Sequence, residues 1–314
     1  MPRIPGTVCG FGKPCDIQDG TLSLTVSPRP GVAGRYQTAP ALPRKPSSAF
    51  VGGSPNDEAK SLLRPCLPRG GYGKPLSKLP LFLAQNVGSK IAISHPQLSK
   101  YLSESGVRDG DLGGPIRSAL PSARYFVIHD TSTKPDNWIQ RRTFPDDINT
   151  SHWTHNQRGN LNTKLDAHVF ISRIGESNTA HDFSVPYSAT KYTGGDHTRQ
   201  PAALKLKFCH VELIQPRLGD PGIAKSDWIA PTPGFPGVQL DRLALVYIVA
   251  SFRHGEWLIP AYHHNVDMGF AAHDDPQNFN LPDWDERIAE IVKDIIGVRR
   301  PGDFSNRPMT GQSG

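Results

Sequence analysis

The stretch Arg124-Tyr-Phe-Val-Ile-His129-Asp130 constrains this chain more than any other. Its aromatic and β-branched residues from Tyr125 to Ile128 suit a buried central strand, and Pro121 with Ser122 suits the entry to it. His129 then falls at the strand end, where core gives way to cleft. Further along come Ile259-Pro-Ala-Tyr-His263-His264 and His273-Asp274-Asp275-Pro276. Two histidines and a carboxylate from separate segments can bind zinc and leave its fourth position for water. The chain holds 12 histidines, and an isolated one is more often a surface or core residue than a ligand. The weight therefore lies in the combination.

The surrounding pattern predicts strands over 124–129 and 167–173 and a long strand over Leu204–Ile214. On that strand Glu212 shares a face with Leu206, Phe208 and His210. A carboxylate on a mainly apolar face is costly unless it is paired or functional. A helix is expected around Gln97–Ser103 and another from Leu240 to His254, stopped by Gly255. A last helix runs from Asp283 as N-cap, with Glu286 at the capping-box position, to Gly297. Its stripe of Trp284, Ile288, Ile291, Val292, Ile295 and Ile296 marks a helix packed on a sheet. The fold class expected is α/β, a mixed central β-sheet flanked by helices, with an irregular Pro/Gly-rich N-terminal region. Trp138, His152, Trp153 and His155, in polar turn-rich sequence, either line a groove or cap the core.

Five landmarks lie in order between residues 124 and 296: Val127-Ile-His129, His168-Val-Phe-Ile-Ser-Arg-Ile-Gly175, His210-Val-Glu-Leu213, Gln239-Leu-Asp-Arg-Leu-Ala244 leading to His263, and Asp275-Pro-Gln-Asn-Phe279. In this the chain resembles the zinc-dependent N-acetylmuramoyl-L-alanine amidases of the type 2 amidase and peptidoglycan recognition protein family. The resemblance implies Zn2+ held by His129, His263 and Asp275, with Glu212 as proton acceptor and His273 as hydrogen-bond donor to the oxyanion. The bond cut would join the lactyl group of N-acetylmuramic acid to the L-alanine of the stem peptide. His264 competes with His263, which is preferred because the apolar lead-in places it one residue nearer the sheet. The chain also departs from the family pattern. His273 stands where many members carry lysine, Tyr262 where many carry glycine, and Ala189-Thr190-Lys191 replaces an Ala-Trp-His-x-Gly segment. These departures imply a rebuilt substrate pocket around a retained zinc site.

Charge divides the chain. The first 80 residues hold 11 Lys and Arg against 4 Asp and Glu, whereas the remaining 234 hold 24 against 25. The first 80 also contain 24 Pro and Gly, which disfavour long helices. Thr21–Val26 alone alternates like a strand there. The expected organisation is a basic N-terminal region over 1–80 for delivery or wall binding, a helical or looped connector over 81–120, the zinc amidase domain over 121–300, and a flexible tail over 301–314. Basic surfaces attract anionic polymers. Nucleic acid is disfavoured, because no aromatic-interleaved basic strand or recognition helix is present.

Met1-Pro-Arg-Ile-Pro-Gly lacks the apolar stretch of a Sec signal, and Leu243–Ala250 is too short to span a bilayer. Cys9, Cys15, Cys66 and Cys209 show no zinc-ligand spacing. Cys9 and Cys15 either close a small loop in an oxidising compartment or remain free thiols. Three roles follow. One is an antibacterial type VI secretion effector, made in the cytoplasm and delivered to a target periplasm, with a cognate immunity protein and a secretion-machinery component as partners. The others are a cytoplasmic amidase recycling muropeptides, and a module that binds peptidoglycan without cutting it.

Overall fold

Proline and glycine keep the first regular elements short. The computed structural model describes residues 15–18, 21–24, 49–67, 71–133, 143–161, 166–194, 200–218, 229–270 and 274–297. The chain divides into two units, 1–45 and 46–314. In the first, strands β1 (Cys15–Gln18) and β2 (Thr21–Leu24) form an antiparallel hairpin with Gln18 opposite Thr21.

The second unit opens with helix α1 (Pro55–Leu62), whose N-cap Ser54 accepts a hydrogen bond from the Asp57 amide. Pro55 sits in the first turn, where a missing N–H costs nothing. A short pair follows, β3 (Cys66–Leu67) and β4 (Gly71–Tyr72), then helices α2 (Leu81–Asn86) and α3 (His95–Glu104). Ala49, Leu62, Leu63 and Leu79 belong to the main core, and Glu58 receives hydrogen bonds from Arg124 and the Tyr125 hydroxyl. Core structure therefore begins well before residue 80.

The central sheet takes β5 (Tyr125–Asp130), β6 (Val169–Ile171), β7 (Ser177–Thr179), β8 (Phe208–Leu213) and β9 (Ile259–Tyr262), in the order β7-β6-β8-β5-β9. Strands β6, β8, β5 and β9 run parallel, and β7 closes one edge antiparallel to β6. All six residues of β5 are buried, as its continuous apolar run requires at the interior of a parallel sheet. Pro260 is accommodated because β9 is an edge strand.

The long strand expected over 204–214 is corrected to six residues. Helix α4 (Ala202–Lys205) precedes β8, because Pro201 starts a turn in which the amides of Leu206 and Lys207 bond to Ala202 and Leu204. The sheet begins only at Lys207, whose carbonyl accepts from Tyr125.

Helix α5 (Gly237–His254) ends at Gly255, which takes the left-handed φ of 94° that favours glycine. A single turn, α6 (His263–Val266), follows β9 directly, and α7 (Leu281–Ile295) is the last described helix. The expected N-cap of α7 at Asp283 is also corrected. Asn280 caps the helix by accepting from the Asp283 amide, Pro282 occupies the first turn, and Asp283 pairs with Arg287. Tyr247 of α5 and Trp284 of α7 meet Phe126 on one sheet face, at ring distances of 5.2 and 6.5 Å. Trp284, Ile288, Ile291 and Ile295 are buried, whereas Ile296, one residue past the helix, is 39% exposed. On the opposite face Phe50 and Tyr192 pack against Tyr125 and Phe208.

Candidate metal centre

Parallel strands deliver their last residues to one edge of a sheet, where open α/β folds place their sites. His129 lies at the end of β5, in register with Glu212 on the neighbouring β8. On the other side Ile128 pairs with Tyr262, the last residue of β9, so His263 emerges beside His129 as the first residue of α6. Asp275 enters from the loop before α7. One donor atom from each of His129, His263 and Asp275 lies within 4.8 Å of the others. The His263 Nδ1 to Asp275 Oδ2 distance is 2.9 Å, and His129 Nδ1 lies 3.9 Å from the same oxygen. All three residues are buried.

His264 faces elsewhere. Its ring stacks on Tyr72 at 4.0 Å, and its backbone amide donates to the Asp275 carbonyl. The structure thus brings His263 into the cluster and gives His264 a supporting position.

Further groups surround the three. Asp267 Oδ2 lies 3.0 Å from His263 Nε2, and the Asp267 carboxylate also accepts from the amides of Lys191 and Tyr192. His129 Nε2 lies 3.1 Å from His210 Nδ1. The His210 amide donates to His168 Nδ1, while His168 Nε2 donates to the Val185 carbonyl, which fixes the His168 tautomer. Burial holds the pKa of His168 down at about 4. Burial, reinforced by the neighbouring His129, puts that of His210 well below the ordinary value. Both rings are neutral near pH 7. Asp267 and His210 escaped sequence reasoning, although the i,i+4 spacing of His263 and Asp267 and the shared face of His210 and Glu212 were the available signals.

Glu212 presents Oε1 3.9 Å from His129 Nδ1, and its side chain is 13% exposed. Its Oε2 is buried with no hydrogen-bond partner, and no Lys or Arg pairs with it, among the described residues. Burial first, and then the nearby Asp275 carboxylate, carry its pKa well above the usual carboxylate range. For His263 burial alone would favour the neutral ring. The Asp275 charge and the hydrogen bonds to Asp267 and Asp275 outweigh it, so its pKa stands well above the ordinary value. A metal ion held at Nδ1 would have to displace a proton from that nitrogen.

A buried polar network fixes the segment that carries Asp275. Arg217 Nη2 reaches Asp130 Oδ2 at 2.6 Å, and its Nη1 reaches Asp274 Oδ2 at 3.1 Å. The Gln277 amide also donates to Asp130, and the Asp130 amide approaches Asp275 Oδ2 at 3.4 Å. Two imidazole nitrogens and a carboxylate oxygen, converging and already oriented by their neighbours, form a donor set able to coordinate a metal ion.

Other expectations fall elsewhere. His273, Trp138 and Cys9 lie outside the described residues, as does the tail over 301–314. Trp153 is buried in a small second core with Ile148, Leu161, Ala167, Phe170 and Ile214, so it caps core and does not line a groove. Cys66 and Cys209 are free thiols. No helix among the described residues is long and apolar enough to cross a membrane. Comparison with protein-family models, with curated proteins and with solved structures returned no match.

Proposed function

We propose that the protein is a zinc-dependent amidase that cleaves peptidoglycan between N-acetylmuramic acid and the L-alanine of the stem peptide. The observation that carries this reading is the His129, His263 and Asp275 cluster with Glu212 in register beside it, its Oε2 buried without a hydrogen-bond partner among the described residues. Two histidines and one carboxylate are a donor set typical of catalytic zinc, with a position left for water. A zinc ion there supplies Lewis-acid activation of water and of the scissile carbonyl.

The chain's own residues do the rest. Glu212 takes the proton of the attacking water on Oε2 and returns it to the departing amine of L-alanine. A raised pKa makes it a stronger base towards the water proton than an ordinary carboxylate. Asp267 and His210 hold the two imidazoles in orientation. The resemblance assigns His273 the hydrogen bond to the oxyanion.

For the biological role we favour an antibacterial effector that acts on a rival's wall, delivered by a secretion machine and neutralised in the producer by an immunity protein. The concentration of positive charge in residues 1–80 supports action on an anionic polymer. The test is to digest purified peptidoglycan sacculi and soluble muropeptides in parallel and to identify the fragments by mass. The reading predicts stem peptides beginning with L-alanine and glycan strands with intact muramic acid. Cleavage within the stem or between sugars refutes the amidase, and binding without cleavage points to a recognition module. A clear preference for soluble fragments refutes the effector and leaves a recycling enzyme.

A further inference from the structure

Beside the cluster lies a carboxylate that the landmarks of the sequence do not include. Asp267 is fully buried, four residues beyond His263 and just past the single turn of α6. A carboxylate withdrawn from water is costly unless hydrogen bonds replace its hydration. The contacts of the Asp267 carboxylate include the Lys191 amide on Oδ2 at 2.9 Å, the Tyr192 amide on Oδ1 at 2.9 Å, and His263 Nε2 at 3.0 Å from Oδ2. The first two come from a turn far away in sequence. That turn is tied internally by reciprocal bonds between Thr190 and Thr193, both buried.

We propose that Asp267 is a positioning residue that fixes His263 with its proton on Nε2, reserves Nδ1 for the metal, and couples metal occupancy to the turn at residues 190–193. The inference rests on the metal-centre reading and not on the identity of the substrate. An acceptor facing Nε2 excludes the tautomer in which Nε2 binds metal, and it makes the ring a better donor at Nδ1. The same carboxylate holds two backbone amides, so an ion that draws charge through His263 acts on the group that anchors the turn. Lys191 and Tyr192 are thereby placed by the residue that orients a ligand. The stretch Ala189-Thr190-Lys191 is also where the sequence departs from the amidase pattern.

The experiment uses the full chain. Zinc affinity is measured by competition with a chromophoric chelator for the natural protein and for Asp267→Asn, which keeps size and one acceptor oxygen. Hydrogen exchange at the amides of Lys191 and Tyr192 is followed with and without zinc. The expected loss of affinity is about 10–100-fold, the usual effect of removing such a supporting partner. The two amides should gain protection on zinc binding in the natural protein and lose that response in Asp267→Asn. Should the variant fail to fold, nitrogen-15 NMR of the His263 ring in the natural protein decides. A ring protonated on Nε2 with zinc bound supports the proposal, and one protonated on Nδ1 overturns it. Equal zinc affinity in a folded Asp267→Asn also overturns it, leaving the metal centre intact. A natural protein that takes up no zinc overturns both.

Discussion

Replacing Arg217 by Met tests how the Asp275 segment is held. The Arg217 side chain has no exposed surface and bonds to Asp130 Oδ2 at 2.6 Å and Asp274 Oδ2 at 3.1 Å. Its Nε also donates to Gln215 Oε1 at 3.0 Å. Methionine fills much of the same space but leaves two buried carboxylates without their cation. Removing one partner of a buried ion pair costs about 3–5 kcal/mol, because the remaining charge stays desolvated. That is a large part of the roughly 5–15 kcal/mol that holds a typical domain folded. For a unit of this size it corresponds to a fall in Tm of about 6–20 °C.

The penalty should also depend on pH. Burial raises the pKa of Asp274 from 3.8 to about 6, even though Arg217 opposes the rise. The folded state therefore holds the extra proton through that window, and this group's contribution to stability falls as pH rises from about 4 to 6. Without Arg217 the folded carboxylates hold protons to still higher pH. Arg217→Met should consequently lose more stability at pH 8 than at pH 5. Urea denaturation of both proteins at the two pH values reads this directly. A loss below about 1 kcal/mol at pH 8, or an equal loss at both, would refute the reasoning.

Glu212→Gln should retain zinc and fold while turnover drops about 10²–10⁴-fold, as loss of a general base predicts; unfolding would make the carboxylate structural. His168, neutral in the folded state with a pKa near 4, should cost stability as pH falls from about 6.5 to 4, by up to about 3 kcal/mol. His168→Gln should flatten that slope in denaturant titrations, and an unchanged slope would place the acid sensitivity elsewhere. Deleting residues 1–45 should leave the melting transition intact, because they form a separate compact unit and every described residue of the main core lies beyond them. Deleting 1–80 should abolish it, since Leu62, Leu63 and Leu79 go too; a stable 81–314 fragment would contradict this packing.

The sequence made the centre of the fold legible where one pattern dominated. Tyr125–Ile128 had no amphipathic face to confuse, and the helix before Gly255 carried its own stop signal. His129, His263 and Asp275 could be picked out because the amidase-like landmarks, in which they stand beside a strand or a proline, implied them as ligands. Local competition hid the rest. Leu204–Lys207 alternates like a strand, yet Pro201 turns it into α4, and Asn280 takes the cap because Pro282 follows it. Residues 49–79 read as an arm because their punctuation is dense, and only tertiary packing shows that their apolar residues fill the core. The supporting groups were the least legible. Asp267 and Arg217 gain their roles from partners at Lys191, Tyr192, Asp130 and Asp274, and pattern within one segment does not report such distant contacts.

The most direct test of the central claim is native mass spectrometry of the zinc-treated protein and of its His129→Ala, His263→Asn and His264→Asn variants. The account predicts one zinc ion per natural chain, lost from His129→Ala and His263→Asn and retained by His264→Asn. A natural chain without zinc, or zinc that survives His263→Asn and leaves with His264, would contradict it.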